Sequence, residues 1–248
     1  MIIDVHAHAY AYQDWGLLAE SLDRYGIDRI YLSTPEENGG FYPSADQVRQ
    51  QNQVICDFVK QYPKKARYMC YVNPVLASTR DTLKKAFEED DAKGIKLWIA
   101  TTCDAPEVDQ VAEFAIDHHV PIVIHAFHKY QNQLPDESTG VHVANLAVRY
   151  PEATLIMAHL GGDAHHGLKY IRKHQNVWVD ISGSNFRNGD VEYAVKLVGE
   201  DRVLFGTDAF HMPFHTNIGK VTEATVSEQA KEKIFWKNAY EMFGEVFK

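Results

Sequence analysis

The segment Asp4-Val5-His6-Ala7-His8 follows directly on the apolar run Met1-Ile2-Ile3. In a β-strand, residues two apart point to the same face. His6 and His8 would then present two imidazoles side by side at the C-terminal end of a buried strand. Such a pair is a two-toothed seat for a divalent metal. Neutral imidazole suits zinc, and also iron, nickel and manganese. Two histidines near a terminus can equally be ordinary ones, so the reading depends on what recurs later. The apolar runs Pro121–Ile124, Thr154–Ala158 and Val203–Thr207 end in His125, His159 and Asp208. Five polar side chains at the ends of four strands can converge above one axis. Burying so many titratable groups without a cation would be costly. A bound divalent ion removes that cost and lowers the pKa of a coordinated water toward neutrality.

Lys96 stands inside a further apolar run, Gly94-Ile95-Lys96-Leu97-Trp98. A lysine within such a strand is unusual. It can snorkel outward or pair with a carboxylate such as Asp208. It can also be carbamylated and bridge two metals, or stay a cation that holds a substrate carboxylate. Strand alternation puts Lys96 and Trp98 on one face and Ile95 and Leu97 on the other. If the apolar pair packs outward, Lys96 faces the axis near His125 and Asp208.

These residues need a scaffold that brings strand ends together. Strand-like runs are expected at Ile2–His6, Arg29–Ser33, Arg67–Val72, Gly94–Ile99, Pro121–His125, Thr154–His159, Val177–Ser182 and Val203–Asp208. Helical patterns alternate with them, at about Trp15–Tyr25, Ala45–Tyr62, Thr79–Asp91, Glu107–His118, Val141–Tyr150, His165–His174, Val191–Gly199 and Ser227–Phe243. Ser44 is a candidate N-cap for the second helix, with Pro63 as its stop. Ser78 and Asp81 resemble a capping box. Gly26 and Gly199 fall just past helices, where a left-handed residue is needed. The strands are continuous apolar runs, as expected when both faces are covered. Eight strand–helix pairs in 248 residues predict one α/β domain over residues 1–248, a single (β/α)8 TIM barrel with no accessory β-sandwich. An open doubly wound sheet would carry a Gly-rich phosphate turn after an early strand, and none is present. Four long connections, Ala9–Asp14, Thr34–Pro43, Ala126–Thr139 and Ala209–Val226, follow strand ends, which is the active face of such a barrel.

Composition narrows the partners. The net charge is −9, with no basic block, which argues against nucleic acid. No apolar run approaches a membrane span, and no signal peptide is expected. Three isolated cysteines, Cys56, Cys70 and Cys103, read as reduced thiols of a cytoplasmic protein. The expected partner is a small-molecule substrate, and a homodimer stays open.

At Asp4-Val5-His6-Ala7-His8, Ala158-His159-Leu160-Gly161-Gly162, Val179-Asp180-Ile181-Ser182-Gly183, Gly206-Thr207-Asp208 and Trp236-Lys237-Asn238-Ala239 with Phe243-Gly244, the chain resembles the amidohydrolase superfamily of metal-dependent barrel hydrolases. It is most similar to the branch holding aminocarboxymuconate-semialdehyde decarboxylase and the dicarboxylate lactonases. The resemblance implies that His6, His8 and Asp208 ligate a metal. In the single-metal branch His125 is a further ligand and His159 is the acid/base. In the two-metal branch His125 and His159 hold a second ion, a carbamylated lysine bridges, and Asp208 is the base. Lys96 is the candidate for that bridge. One zinc ion is expected, with two ions as the alternative and manganese or iron behind zinc.

The leading expectation is a metal-dependent hydrolase acting on a small amide, lactone or ester, with Asp208 or His159 moving protons. The alternative is non-oxidative decarboxylation of a small unsaturated or aromatic acid, which needs the same ligands. A third reading, an inactive barrel that only binds, would show a missing ligand, and none is missing. Lys96, Trp98 and His128 are the candidate substrate contacts. Lys129 and Arg187 are further cations in the loops, and Tyr10, Tyr12, Phe127 and Tyr130 are candidate wall residues. His165, His166, His211 and His215 are expected to be bystanders on the same face.

Overall fold

A computed structural model describes residues 1–35, 40–184, 186–209 and 211–244. Part of the expected Thr34–Pro43 connection, Phe210 and the last four residues lie outside that set. Eight parallel strands follow one another around the sheet in chain order. They are β1 (Ile3–His8), β2 (Arg29–Ser33), β3 (Ala66–Val72), β4 (Gly94–Leu97), β5 (Ile122–Ile124), β6 (Leu155–Met157), β7 (Val177–Asp180) and β8 (Val203–Leu204). The ring is completed by backbone bonds from β1 to the β8 segment. Val5 N–H donates to Phe205 O at 3.0 Å, Asp208 N–H to His6 O at 2.8 Å, and His8 N–H to Ala209 O. The result is the (β/α)8 barrel that the alternating pattern predicts.

The helices between strands are α1 (Trp15–Arg24), α2 (Ala45–Gln61), α3 (Thr79–Glu88), α4 (Asp109–Asp117), α5 (Gly140–Arg149), α6 (Ala164–Ile171) and α7 (Asp190–Val198). Each buries one stripe against the strands. The layer between them holds Leu18, Ile55, Leu83, Val111, Leu146 and Leu168 on the helix side and Ile30, Cys70, Ile95, Ile122 and Val179 on the strand side. Ser44 caps α2 as a full capping box with Gln47. Ser78 does not do the same for α3. Its backbone is at ψ 0 and its side chain makes no cap bond, so the expected Ser78–Asp81 box is absent. The expected Ala209–Val226 connection contains a helix that the sequence pattern did not predict, α8 (Phe214–Thr222). Phe214, Asn217 and Val221 anchor it, a three-residue stripe too short to stand out from the loop. Two short helices, α9 (Glu228–Glu232) and α10 (Asn238–Phe243), are joined by one π turn, so the expected Ser227–Phe243 helix is present with an interruption. Ile234 O inside that turn accepts Phe205 N–H at 3.0 Å, a backbone bond that the wider turn makes available.

Inside the barrel the two ends differ. The floor is a dry cluster of Ile3, Val5, Tyr31, Met69, Val123, Ile156 and Leu204, stoppered by Ala239 and the flanking aromatics of α10. Phe243 stacks on Tyr31 with ring centroids 4.0 Å apart. The mouth carries the polar residues. Among the described residues no helix is long and apolar enough to cross a membrane.

Candidate metal centre

One irregularity of β1 puts its histidines where they are. Asp4 is in register with Ile30 and Ala7 with Leu32, so Val5 and His6 together oppose Tyr31. This is a β-bulge, which adds a residue and reverses the pleat. Ile3 and Val5 face the floor below it, Ala7 packs in the outer layer, and His6 and His8 turn inward above it. Asp4 clamps the bulge to the β8 segment. Its carboxylate accepts from His6 N–H (3.1 Å), Thr207 N–H (3.0 Å) and the Thr207 hydroxyl. Burial pushes its pKa up to about 8 against these hydrogen bonds.

Each imidazole of β1 is held from behind by an acceptor. His6 Nδ1–H donates to Asp180 Oδ2 at 2.9 Å, and His8 Nδ1–H to Ser33 O at 3.1 Å. An acceptor on Nδ1 leaves Nε2 as a bare lone pair. His8 Nε2 lies 3.0 Å from Asp208 Oδ1, and His6 Nε2 lies 3.7 Å from the same oxygen. Two donors about 2.1 Å from one ion stand roughly 3.0–3.4 Å apart; the His8–Asp208 pair is in that span, and the three donor atoms all lie within 4.8 Å of one another, a group that one divalent metal could draw together. Asp208 reaches them from a left-handed backbone, φ 62, which costs a non-glycine residue about 1–2 kcal/mol.

His159 is presented by a similar device. The inward row of β6 runs through Ile156, two residues before Ala158. His159 itself comes in because the chain turns left-handed there, with φ 59 at His159 and 50 at Leu160, and positive φ at Gly161 and Gly162. A Cβ on Gly162 would sit 2.5 Å from His128 N, so only glycine lets the two loops touch. His159 Nδ1 lies 2.9 Å from Ser182 Oγ, and its Nε2 lies 3.2 Å from His125 Nδ1. His125 Nε2 in turn lies 3.1 Å from Glu137 Oε1. Lys96 faces inward, with Ile95 and Leu97 in the outer layer, and its Nζ is 2.6 Å from His6 Nε2. Trp98 is buried against Tyr71, Val48 and Ile99, its ring 6.5 Å from that of His125.

Electrostatics set the donors in ligating form. Burial pushes the His6 imidazole down to about 4, with the nearby Lys96 adding to it. Burial lowers His159 far and His125 less. These imidazoles are neutral at ordinary pH. Burial works against the Asp208 carboxylate, yet His159, His8 and His6 hold it well below its usual range. Asp180 is also held low despite burial, chiefly by His6. Glu137 is lowered too, burial being outweighed by hydrogen bonds from His125 and Lys129.

The expected set His6, His8, Lys96, His125, His159 and Asp208 is therefore brought together. His128 is placed elsewhere on the rim, stacked on His166 with centroids 4.3 Å apart. His211 comes closer to the centre than a bystander, its ring 5.4 Å from that of His8 and its Nε2 2.8 Å from the Tyr10 hydroxyl. Lys129 and Arg187 are both paired, with Glu137 and Asp163 respectively. Three residues had no role in the sequence reading: Asp180 and Ser182, which it quoted only within the motif Val179–Gly183, and Glu137. Asp180 ends an apolar strand as the named ligands do, so the same rule would have found it. Ser182 follows two residues on. Glu137 lies in a loop, where no period places it. A cavity of about 230 Å³ adjoins His159 and Ser182, bounded by Phe186, Arg187 and Lys220.

Solved structures share this architecture. The chain superposes on 2,6-dihydroxybenzoate decarboxylase from Rhizobium with a TM-score of 0.74 at 16% identity, covering 98% of each chain. A dihydroxybenzoic acid decarboxylase from a Polaromonas species, with bound manganese and the inhibitor 2-nitroresorcinol, gives 0.76 at 18% identity, covering 98% of this chain and 96% of that one. The 4-oxalomesaconate hydratase of Rhodopseudomonas palustris gives 0.72 at 15%, with 98% and 96% covered. Likeness at this identity shows the fold. No curated protein sequence matches the chain. The profile of the amidohydrolase family Amidohydro_2 matches residues 3–244, and with nearly the whole length covered the chain belongs to that family of enzymes.

Proposed function

We propose that the protein is a metal-dependent hydrolase of a small lactone, amide or ester. The observation that carries this reading is the convergence of the His6 Nε2, His8 Nε2 and Asp208 Oδ1 lone pairs, each imidazole locked from behind. His6, His8, Asp208 and His125 would hold one divalent ion, zinc by its nitrogen-rich donor set, with manganese or iron as substitutes. Bound there, the ion would polarise a substrate oxygen and acidify water.

The remaining steps belong to the chain. His159 is neutral and buried, with its Nδ1 side fixed by Ser182. Its Nε2 can accept a proton in the attack and return it to the leaving group. Asp208 is the second group able to take that proton. Lys96 donates to His6 Nε2 at 2.6 Å, so its amine competes with an ion for that lone pair. As an ammonium it repels a second dication and favours one metal. As a carbamate it would bridge two, with His125 and His159 serving the second.

Decarboxylation of a small unsaturated or aromatic acid is the second reading. The buried Lys96 amine beside the donor ring favours it, because as an ammonium it suits a substrate carboxylate. The decarboxylases of the same fold act on dihydroxybenzoates. Metal analysis together with an assay of acid and carbon dioxide release on a panel of lactones, amides, esters and unsaturated acids decides between them. Hydrolysis yields new acid and no carbon dioxide. Carbon dioxide release alone would replace the first reading by the second. Full metal retention in a His6→Ala/His8→Ala double variant would reject both.

A further inference from the structure

We propose that Glu137 is a positioning residue that decides which nitrogen of His125 faces the barrel axis. The proposal rests on the reading of His125 as a cation-holding group and, for the facing pair, on the two-metal alternative above, in which His159 joins it.

The connection between β5 and α5 is built around this one side chain. Its two ends are tied, Phe127 N–H donating to Ser138 O at 2.8 Å, and Ser138 Oγ accepts Cys103 N–H at 2.9 Å. Within the loop so closed, Glu137 is 2% exposed. It accepts from Lys129 Nζ at 2.9 Å and Gln133 Nε2 at 2.8 Å, on different oxygens, and Oε1 also faces His125 Nε2 at 3.1 Å. Gln133 Oε1 turns back to accept Lys129 N–H at 2.8 Å. The backbone of His125 is fixed separately, its N–H donating to Leu97 O at 3.0 Å. Only the ring's tautomer and flip are left to decide.

A carboxylate accepts and cannot donate. Beside it, His125 Nε2 must carry the hydrogen, and Nδ1 is left bare. On the other side, the Ser182 hydroxyl gives its hydrogen to Asp180 Oδ1. Ser182 Oγ can then only accept from His159 Nδ1–H, which bares His159 Nε2. Two lone pairs thus face each other across 3.2 Å. Two bare nitrogens repel, while a cation shared between them removes the repulsion. The spacing is that of two nitrogens on one metal, roughly 3.0–3.4 Å. Two carboxylates, Glu137 in the β5–α5 connection and Asp180 at the end of β7, therefore aim the pair, one directly and one through Ser182.

The test reads the tautomer itself. In protein labelled with ¹⁵N-histidine, long-range proton–nitrogen correlation spectra distinguish an Nε2–H ring from an Nδ1–H ring, and His125→Gln assigns the signal. The expected wild-type state is Nε2–H. An Nδ1–H ring in the metal-free wild type would overturn the proposal without any variant. In Glu137→Gln the amide can donate, so the His125 signal should shift toward Nδ1–H, and cobalt(II) affinity by titration should fall about tenfold to a hundredfold. Glu137→Asp, which keeps an acceptor, should restore the Nε2–H signature in part. An unchanged His125 tautomer in Glu137→Gln would sink the positioning role. A shifted tautomer with unchanged cobalt affinity would support the positioning role and instead overturn the reading of His125 as a ligand.

Discussion

The floor and the mouth of the barrel are made by the same strands and obey opposite rules. On β5 the inward row passes from Val123 in the floor to His125 in the mouth, and on β7 from Trp178 to Asp180. Two residues of travel exchange an apolar contact for a titratable group. The floor needs no partner beyond packing. In the mouth almost every polar atom has an assigned one: Asp180 for His6, Ser33 for His8, Ser182 for His159, Glu137 for His125. Backbone geometry divides the same way. The bulge in β1 sits at the mouth, and so do three of the left-handed residues, His159, Leu160 and Asp208, whereas Asp91 and His119 make ordinary turns before β4 and β5. Regular strand is sufficient to fill space, but aiming a nitrogen at a fixed point needs departures from it. The difference teaches that stability and chemistry are separable along single strands, which can be tested.

The largest effect should come from the mouth. Asp208→Asn keeps the shape and removes the charge that three imidazoles surround. Turnover should fall roughly a thousandfold or more, while the melting temperature moves by only a few degrees. Steady-state kinetics and a thermal melt on the same preparation check this. A variant that melts far below wild type would mean that the mouth holds the barrel together, and the division would fail.

The floor should show the reverse. Ile156 is fully buried beneath the site. Ile156→Ala should cost about 2–5 kcal/mol, which lowers the melting temperature by roughly 2–4 °C per kcal/mol in a chain of this size. Turnover per folded molecule and metal content should stay within a factor of about three, because Ile156 shares none of the hydrogen-bond partners that aim the mouth. Loss of metal in this variant, measured well below its melt, would show the two ends to be coupled.

Much of this division was legible in the amino-acid sequence. The eight strands and their followers announce themselves because a doubly covered strand is a short continuous apolar run. A polar residue that stops such a run is visible for the same reason, which is how His125, His159 and Asp208 stand out. The inward direction of Lys96 was legible on one condition, that Ile95 and Leu97 pack against the helices, and they do. What stayed hidden depends on contacts between distant segments. The bulge in β1 is defined by register against β2, and without it strict alternation would put His6 on the face opposite Ile3 and Val5. Glu137 reaches His125 only because Phe127 and Ser138 pinch the loop between them. His211 approaches His8 across the β8 connection, where the short helix α8 also went unread because it buries only Phe214, Asn217 and Val221.

A smaller, local perturbation sharpens the account of how the mouth is aimed. Gly183 has φ +86, and a Cβ there would stand 2.7 Å from His159 Nδ1. Gly183→Ala should strain the turn by about 1–2 kcal/mol and push the imidazole off Ser182. We expect turnover to fall about tenfold, of the order that outer hydrogen-bond partners contribute, with a changed pH profile and unaltered metal content. Equal activity in Gly183→Ala would show that the Ser182–His159 contact does not orient the ring.

The smallest expected effect is a null one, and it belongs to the layer outside both ends. Cys56, Cys70 and Cys103 are buried there as free thiols. Burial pushes Cys56 up to about 11 and Cys70 and Cys103 to about 12. No cation lies beside them strong enough to reverse that shift, unlike the carboxylates of the mouth. At pH 8 their thiolate fraction in the folded chain is negligible, and thiolate is the reactive form. A thiol reagent at pH 8 should therefore modify none of them in the native protein and all three in denaturant. The sign of the linked stability follows from the same shift. An acid whose folded pKa is raised stabilises the fold below its unfolded value, near 9, and loses that contribution as pH climbs toward 11–12. The three thiols should thus leave the melt unaltered between pH 7 and about 8.5 and contribute to its fall only above about 9. Rapid native modification of any one at pH 8 would mean that the helix layer opens locally, and that the dry packing ascribed to the floor does not extend to the outer shell.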